Sequence, residues 1–340
     1  MRTMKAWRLH RPGPAETFPL TLEEVPVPEP GPGQVLLKVH ACGVCHTDLH
    51  TVEGEIRPPR YPITPGHQVV ATVEALGPGV TQVQVGQRVG VTWLYHTCGQ
   101  CDFCRRGLEN LCPRARFTGF HADGGYAEYM VAWADYVFPL PEAMDDVHAA
   151  PLLCAGVIGY RTLRVAEVQP GDTVALFGFG ASAHLVIQVL RYWGNRVLVF
   201  TRSPKRQEHA RQLGASWAGH PREDPGERVD RALIFAPAGE IVHRALQVLR
   251  PGGTVAINAI YMTPIPEMPY DLIYQERGLR SVANVTRQDA REFLDLAGRI
   301  PIQTTVQPYP WKQANQALAD LKAGRIVGQA VLVKFGHELE

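Results

Sequence analysis

The sequence predicts an α/β protein of two domains: a compact β-rich domain, then a doubly wound parallel-sheet domain of the dinucleotide-binding type. Three observations lead there. The chain has 340 residues, more than one ordinary hydrophobic core serves, so two domains are expected. Its grammar changes near Pro151, where short apolar runs separated by turn signals give way to alternating strand and helix patterns. In the second part a strand runs into Gly178-Phe179-Gly180-Ala181-Ser182-Ala183 and then a helix, the arrangement that brings a pyrophosphate close to a helix N-terminus.

In the first part, apolar segments at Val35 to Val39, Val69 to Val73, Arg88 to Thr92 and Tyr126 to Val131 are short and rich in β-branched residues. Gly-Pro pairs at Gly13-Pro14, Gly31-Pro32 and Gly77-Pro78 punctuate them, which reads as a sequence of strands. Cys98 to Cys112 has no hydrophobic periodicity and reads as an excursion ordered by something other than a core. After Pro151 the expected order is helix Leu153 to Val168, strand Thr173 to Phe177, helix Ala183 to Trp193, strand Val197 to Thr201 and helix Pro204 to Leu213. Strands at Ala232 to Phe235, Thr254 to Ala259 and Arg280 to Ala283 follow, with helices near Ile241 to Leu249 and Arg287 to Gly298 filling the gaps. An amphipathic segment, Trp311 to Lys322, and a strand, Ala330 to Val333, end the pattern.

Composition narrows the function. Hydrophobic residues make up 45% and charged residues 20%, and 34 basic residues balance 33 acidic ones. That balance gives no field to attract nucleic acid or an anionic membrane, so small-molecule chemistry is expected. The first residues hold no apolar run behind their basic ones, and no stretch of about eighteen apolar residues occurs. A cytoplasmic protein is expected. Seven cysteines, an odd number, argue for thiols kept reduced for metal or catalysis rather than for disulfides.

Cys98, Cys101, Cys104 and Cys112 stand as C-x2-C-x2-C-x7-C. Four thiolates in a stretch with no apolar reason to fold suit a closed tetrahedral zinc site, whose binding energy orders the loop. The bacterial iron-sulfur run closes its fourth cysteine after three residues rather than seven. With no open coordination position, this metal is expected to be structural. A second, catalytic site needs three protein ligands and a fourth place for substrate. Cys45, His46, His50, His67 and Cys154 are the candidates, and spacing alone does not choose among them.

At the nucleotide turn the glycines Gly178 and Gly180, with Ala181 and the small third residue Ala183, permit close approach of phosphate. The acidic residue expected about twenty residues on, to hold the adenosine ribose hydroxyls, is missing. In its place stand Thr201-Arg202-Ser203-Pro204-Lys205-Arg206. A hydroxyl followed by three cations suits a 2′-phosphate, so NADP(H) is favoured over NAD(H).

The ordered motifs GVCHTD from Gly43, Gly66-His67, the four-cysteine lobe, Cys154 and the glycine turn resemble the zinc-dependent medium-chain alcohol dehydrogenases over nearly the whole chain. The resemblance implies a GroES-like catalytic domain at 1–150 and 290–340, with a zinc lobe at 96–114, and a Rossmann domain at 151–289. It implies two zinc ions per chain, Cys45, His67 and Cys154 holding the catalytic one and the four lobe cysteines the structural one. Cys42 matches no ligand. By the same resemblance Thr47 contacts the zinc-bound alcohol, His50 passes the proton outward through the nicotinamide ribose, and His46 meets the cofactor pyrophosphate. Asp48 orients the ligand histidine, and Trp93 narrows the substrate pocket.

Two departures stand out. Gln68 replaces the usual glutamate after the ligand histidine, removing a negative charge near the metal, from which a more electrophilic metal is expected. Gln329 follows Gly328 where many relatives carry arginine, so a cation on the cofactor phosphates is lost and Arg287 is a candidate to share that load. The implied activity is hydride transfer between a nicotinamide cofactor and a primary alcohol or aldehyde, in a homodimer or homotetramer. Its rivals are a zinc-free quinone-reductase-like enzyme and a non-catalytic zinc-stabilised nucleotide-binding protein.

Overall fold

A computed structural model of the chain describes residues 2–333. The first compact unit comprises the chain up to Cys154 together with Val285–Arg299 and the segment from Gln303 on; the second is Ala155–Asn284 with Ile300–Ile302. The last seven residues of the domain expected at 290–340 lie outside the described residues.

In the first unit the chain forms β1 (Thr3–Leu9), β2 (Leu20–Pro26), β3 (Gln34–Val44), α1 (His46–Glu53), β4 (Gln68–Leu76), β5 (Arg88–Val91) and β6 (Leu94–His96). A one-turn α2 (Asp102–Arg105), β7 (Arg116–Phe117), β8 (Tyr129–Trp133), β9 (Val137–Pro139) and α3 (Asp146–Ala149) follow. The second unit holds α4 (Ala155–Val165), β10 (Thr173–Phe177), α5 (Ala181–Tyr192), β11 (Arg196–Phe200), α6 (Pro204–Gln212), β12 (Trp217–Gly219), β13 (Val229–Ile234), α7 (Ile241–Val248), β14 (Leu249–Ile257) and β15 (Gly278–Ser281). The chain then returns to the first unit with α8 (Arg287–Arg299), β16 (Val306–Pro310), α9 (Ala314–Lys322) and β17 (Gln329–Val333).

The eleven-residue β3 is the spine of the first unit. It pairs antiparallel with β4, β8 and β17, in a sheet ordered β16-β17-β3-β4-β5-β9 with β8 beside β3. Leu37, Val39, Val69, Ala71, Val73, Val89, Val91, Met130 and Ala132 supply its core, all almost fully buried. This is the half-buried alternation that a β-branched, turn-punctuated sequence favours. β1 and β2 form a separate hairpin, β1 alternating exposed Thr3 and Lys5 with buried Met4 and Ala6.

The second unit is a six-stranded parallel sheet in the order β12-β11-β10-β13-β14-β15. Counting β10 as the first strand, this is the 3-2-1-4-5-6 order of the doubly wound dinucleotide fold. β10 is buried at every residue, as a strand covered on both faces must be.

Two expectations are corrected. The helix expected from Leu153 is interrupted: Ala150–Leu153 is a 3₁₀ turn, Cys154 leaves the helical region with φ −133° and ψ −70°, and α4 starts at Ala155. Hydrophobic periodicity runs through this break because Leu152, Leu153 and Val157 are all buried. The segment Arg287 to Gly298, expected among the crossover helices of the parallel sheet, belongs to the first unit as α8, where Arg287 bonds Glu109.

Candidate active site

The excursion after β6 brings Cys98, Cys101, Cys104 and Cys112 together, all four sulfurs within 4.8 Å of one another. Their contacts run 3.9 Å for Cys98–Cys104, 3.5 Å for Cys101–Cys104 and 3.6 Å for Cys98–Cys112. A tetrahedral zinc with bonds of about 2.3 Å separates its sulfurs by roughly 3.8 Å, so the cluster fits the ion. Backbone N–H groups of Cys101 and Arg114 donate to Cys98 and Cys112. The Cys98 thiol is pulled down to about 5, first by the Gln100 N–H. Around the cluster Phe103 and Leu111 remain exposed, so this loop has no core of its own.

A second cluster joins Cys45, His67 and Cys154, again within 4.8 Å. Each ligand atom is delivered by the end of an element. Cys45 is the N-cap of α1, reached as β3 ends, and its Sγ accepts the Thr47 N–H at 3.4 Å. His67 immediately precedes β4, and Cys154 sits at the break before α4. Gly66 adopts φ +96°, and a methyl group there would lie 2.4 Å from the Tyr126 ring, so only glycine lets the chain turn His67 inward.

Asp48 organises this cluster. Its Oδ2 accepts the Cys45 N–H at 3.0 Å, closing a capping box, while Oδ1 accepts Gly66 N–H at 3.1 Å and His67 Nδ1–H at 3.0 Å. With Nδ1 donating to Asp48, Nε2 is the nitrogen that faces Cys45 Sγ, at 3.3 Å, and is the atom left for a metal once its proton is displaced. Asp48 and His67 are buried and Cys45 and Cys154 partly so. Two thiols, one oriented imidazole and a buried carboxylate behind it make a donor set that fits zinc.

The charges explain why. A hydrogen bond from the Cys154 thiol, followed by the His67 charge acting against burial, takes the Cys45 thiol well below its ordinary range, and the same bond raises Cys154. Burial opposes charge on His67, but Asp48 and Cys45 outweigh it and raise the imidazole. Burial raises the Asp48 carboxyl, with His67 opposing. The metal-free cluster thus keeps protons on His67 and Cys154, and a bound cation must displace them.

The other residues singled out from sequence fall around this core. Thr47 is partly buried in the first turn of α1, where its carbonyl accepts from the Thr51 hydroxyl. His46 is exposed, its ring 6.2 Å from that of His50. His50 Nδ1 pairs with Glu55 Oε2, a partner that reasoning from motifs missed because Glu55 lies past the helix end. Trp93 stacks on Phe117 at 4.3 Å and lies 6.3 Å from the His67 ring. Phe117 was missed as well, since it stands in a two-residue strand with no periodicity. Gln68 is fully buried and accepts a hydrogen bond from Gln329. Arg287 donates its backbone N–H and Nε to Glu109, lies 3.8 Å from Asp135 and covers the Tyr136 ring. Its guanidinium is engaged by Glu109, Asp135 and Tyr136 rather than free for a cofactor phosphate.

In the second unit Gly178 ends β10 with φ +90°, and a methyl group there would press on Ala236 at 3.1 Å. Gly180 is the N-cap of α5, and no atom would meet a side chain there, which leaves the helix N-terminus open to an anion. Ala181 is the first residue of α5 and Ala183 is buried. Beyond β11, Thr201 is buried, its carbonyl bound by Gln207, while Arg202, Lys205 and Arg206 are exposed. None of the three cations forms an ion pair among the described residues, as a site for a phosphate requires.

Residues 31–142 match the family model described as alcohol dehydrogenase GroES-like domain, and residues 183–299 match that described as zinc-binding dehydrogenase. The chain is 47% identical over 337 residues to a probable alcohol dehydrogenase, AdhA, of Mycobacterium tuberculosis, covering 97% of each. It is 36% identical to an alcohol dehydrogenase of Geobacillus stearothermophilus, over 92% of this chain and 96% of the other. Among solved structures it resembles the cobalt- and zinc-bound thermostable alcohol dehydrogenase of Pyrobaculum aerophilum, with TM-score 0.87 and 26% identity over 98% of this chain and all of that one.

Proposed function

The chain belongs to the zinc-dependent medium-chain alcohol dehydrogenase family, and from that premise we propose a zinc-dependent enzyme that transfers hydride between NADP(H) and a primary alcohol or aldehyde. The chain is an oxidoreductase of the alcohol dehydrogenase type. The observation that carries the finer reading is the convergence of Cys45, His67 and Cys154 on one point, with Asp48 fixing the imidazole behind them.

Cys45, His67 and Cys154 would hold the catalytic zinc, and the four lobe cysteines the structural one. When bound, the catalytic ion lowers the pKa of an alcohol or polarises an aldehyde carbonyl, and the nicotinamide carries the hydride. Asp48 keeps the His67 proton on Nδ1. Thr47 holds the proton of the substrate oxygen, and His50, paired with the exposed Glu55, passes it outward. Trp93 and Phe117 form an apolar wall that limits water and substrate width. In the second unit Gly178, Gly180, Ala181 and Ala183 bind the pyrophosphate at the start of α5, and Thr201, Arg202, Lys205 and Arg206 take the 2′-phosphate; by the family resemblance His46, in the first unit, is a phosphate contact as well. With NADPH, aldehyde reduction is the physiological direction.

We also propose a homo-oligomer. Among the described residues β15 pairs on one side only, with β14, and Ile260, Tyr261, Tyr270 and Tyr274 before it are exposed, a surface suited to a second copy. No helix among the described residues is long and apolar enough to cross a membrane. A reduced, cytoplasmic setting accords with seven unpaired cysteines. Metal analysis should find two zinc ions per chain, and an aldehyde panel should consume NADPH with a lower KM than NADH. One metal per chain, or no turnover with any aldehyde, would overturn the reading.

A further inference from the structure

The two positions at which the sequence departs from its family's pattern, Gln68 and Gln329, are far apart in the chain and touch in the structure. Gln329 Nε2 donates to Gln68 Oε1, and both side chains are buried. Among the described residues Gln68 Nε2 and Gln329 Oε1 have no hydrogen-bond partner. The strand register explains the meeting: Gly43 on β3 lies opposite Gln68 on β4 and opposite Val331 on β17, two residues from Gln329. All four positions therefore face one side of the sheet. Position 43 has no side chain to fill the gap, and a methyl group there would come within 2.5 Å of Gln68 Oε1. The turn Ala150–Leu153, which leads into Cys154, packs against β3, β4 and β17. Each of the three metal-site residues thus adjoins this sandwich: His67 precedes Gln68, Cys45 follows Gly43 by two residues, and Cys154 ends the covering turn.

We propose that Gln68 and Gln329 are one neutral positioning unit for the Cys45–His67–Cys154 metal site. Their amide hydrogen bond clamps β4 to β17 across Gly43 and so holds His67 in register with Cys45. Groups hydrogen-bonded directly to metal ligands are worth roughly 10–100-fold in metal affinity, and this pair acts on the ligands one step removed, through the strands that carry His67 and Cys45. A neutral pair does this without burying a second carboxylate in the same unit as Asp48, and changing either partner alone removes the hydrogen bond that joins the two side chains.

The inference rests on reading the three residues as metal ligands, and the test separates the two. Zinc release from the holoprotein to a competing chelator is followed for the wild type, Gln329→Met, Gln329→Asn, Gln68→Glu, Gln329→Arg and the double variant Gln68→Glu/Gln329→Arg. The four-cysteine metal serves as internal reference. Each single variant should weaken one metal by roughly 10–100-fold and leave the lobe metal unchanged, while the double variant, with a matched charge pair, should return to within a few-fold of wild type. Gln329→Asn keeps a folded, neutral amide but is one methylene short, so it reports on the clamp even where a charged variant does not fold. Single variants within twofold of wild type, or a double variant no better than the weaker single, overturn the proposal. A wild type that binds only the lobe metal overturns the metal-site reading and the proposal together.

Discussion

Replacing Asp48 by asparagine tests the centre of the site with almost no change of shape. The carboxylate accepts three hydrogen bonds, from Cys45 N, Gly66 N and His67 Nδ1, and the residue is 2% exposed. An amide offers one acceptor end only. If its oxygen serves His67 and Gly66, its NH2 faces the Cys45 N–H; the reverse placement faces it to two donors. At least one buried donor is left unmatched, at about 1–3 kcal/mol. A loss of about 2 kcal/mol corresponds to roughly 4–8 °C in Tm for a unit of this size. The metal feels a separate effect, because the imidazole loses the carboxylate that fixes its tautomer, which is worth roughly 10–100-fold in affinity. Calorimetry of holo and metal-free protein, with chelator competition for zinc, measures both. The expected outcome is a lower Tm in both forms, one weakened metal and an unchanged lobe metal. An Asp48→Asn protein with zinc affinity within twofold of wild type would refute the role assigned to this carboxylate.

Other perturbations follow from the same geometry. Gly66→Ala forces a side chain into φ +96° and against the Tyr126 ring at 2.4 Å, so a loss of about 3 kcal/mol or more is expected in thermal or denaturant unfolding. Removing Arg202, Lys205 and Arg206 together should raise the KM for NADPH roughly tenfold or more, since charge-assisted bonds are worth about 1.5–3 kcal/mol, and leave that for NADH nearly unchanged; equal effects on both cofactors would count against a 2′-phosphate site. Burial holds His184 in α5 down at about 4 from an ordinary 6.5. The unfolded chain takes up this proton first, so the stability the neutral ring contributes is present above about 6.5 and is lost as pH falls towards 4, by about 3 kcal/mol. Melting curves between those pH values should be flatter for His184→Leu than for wild type. In the metal cluster the raised His67 and Cys154 hold protons that zinc must displace, so zinc affinity should climb as pH rises through the neutral range; a flat profile would contradict the arrangement.

Local order was open to reading wherever one physical rule acted alone. Strand β10 and its glycine turn were legible because continuous burial and φ > 0 each demand particular residues. The lobe was legible because four thiols without a core have few other uses. The helix break at Cys154 was not, because apolar residues continue on both sides of it. Neither were Glu55 and Phe117, which join the site through contacts that no periodicity records. Sequence by itself pointed to the two-domain α/β class through periodicity and turn chemistry, and to the family and the candidate metal and phosphate residues through the resemblance of its ordered motifs, since spacing alone did not choose among the candidates for the second site. Only the tertiary structure decided which of them meet. Cys45, His67 and Cys154 are joined because a strand end, a strand start and a helix break converge. Gln68 and Gln329, two separate oddities along the chain, become one hydrogen-bonded pair because antiparallel register carries both strands past the same glycine.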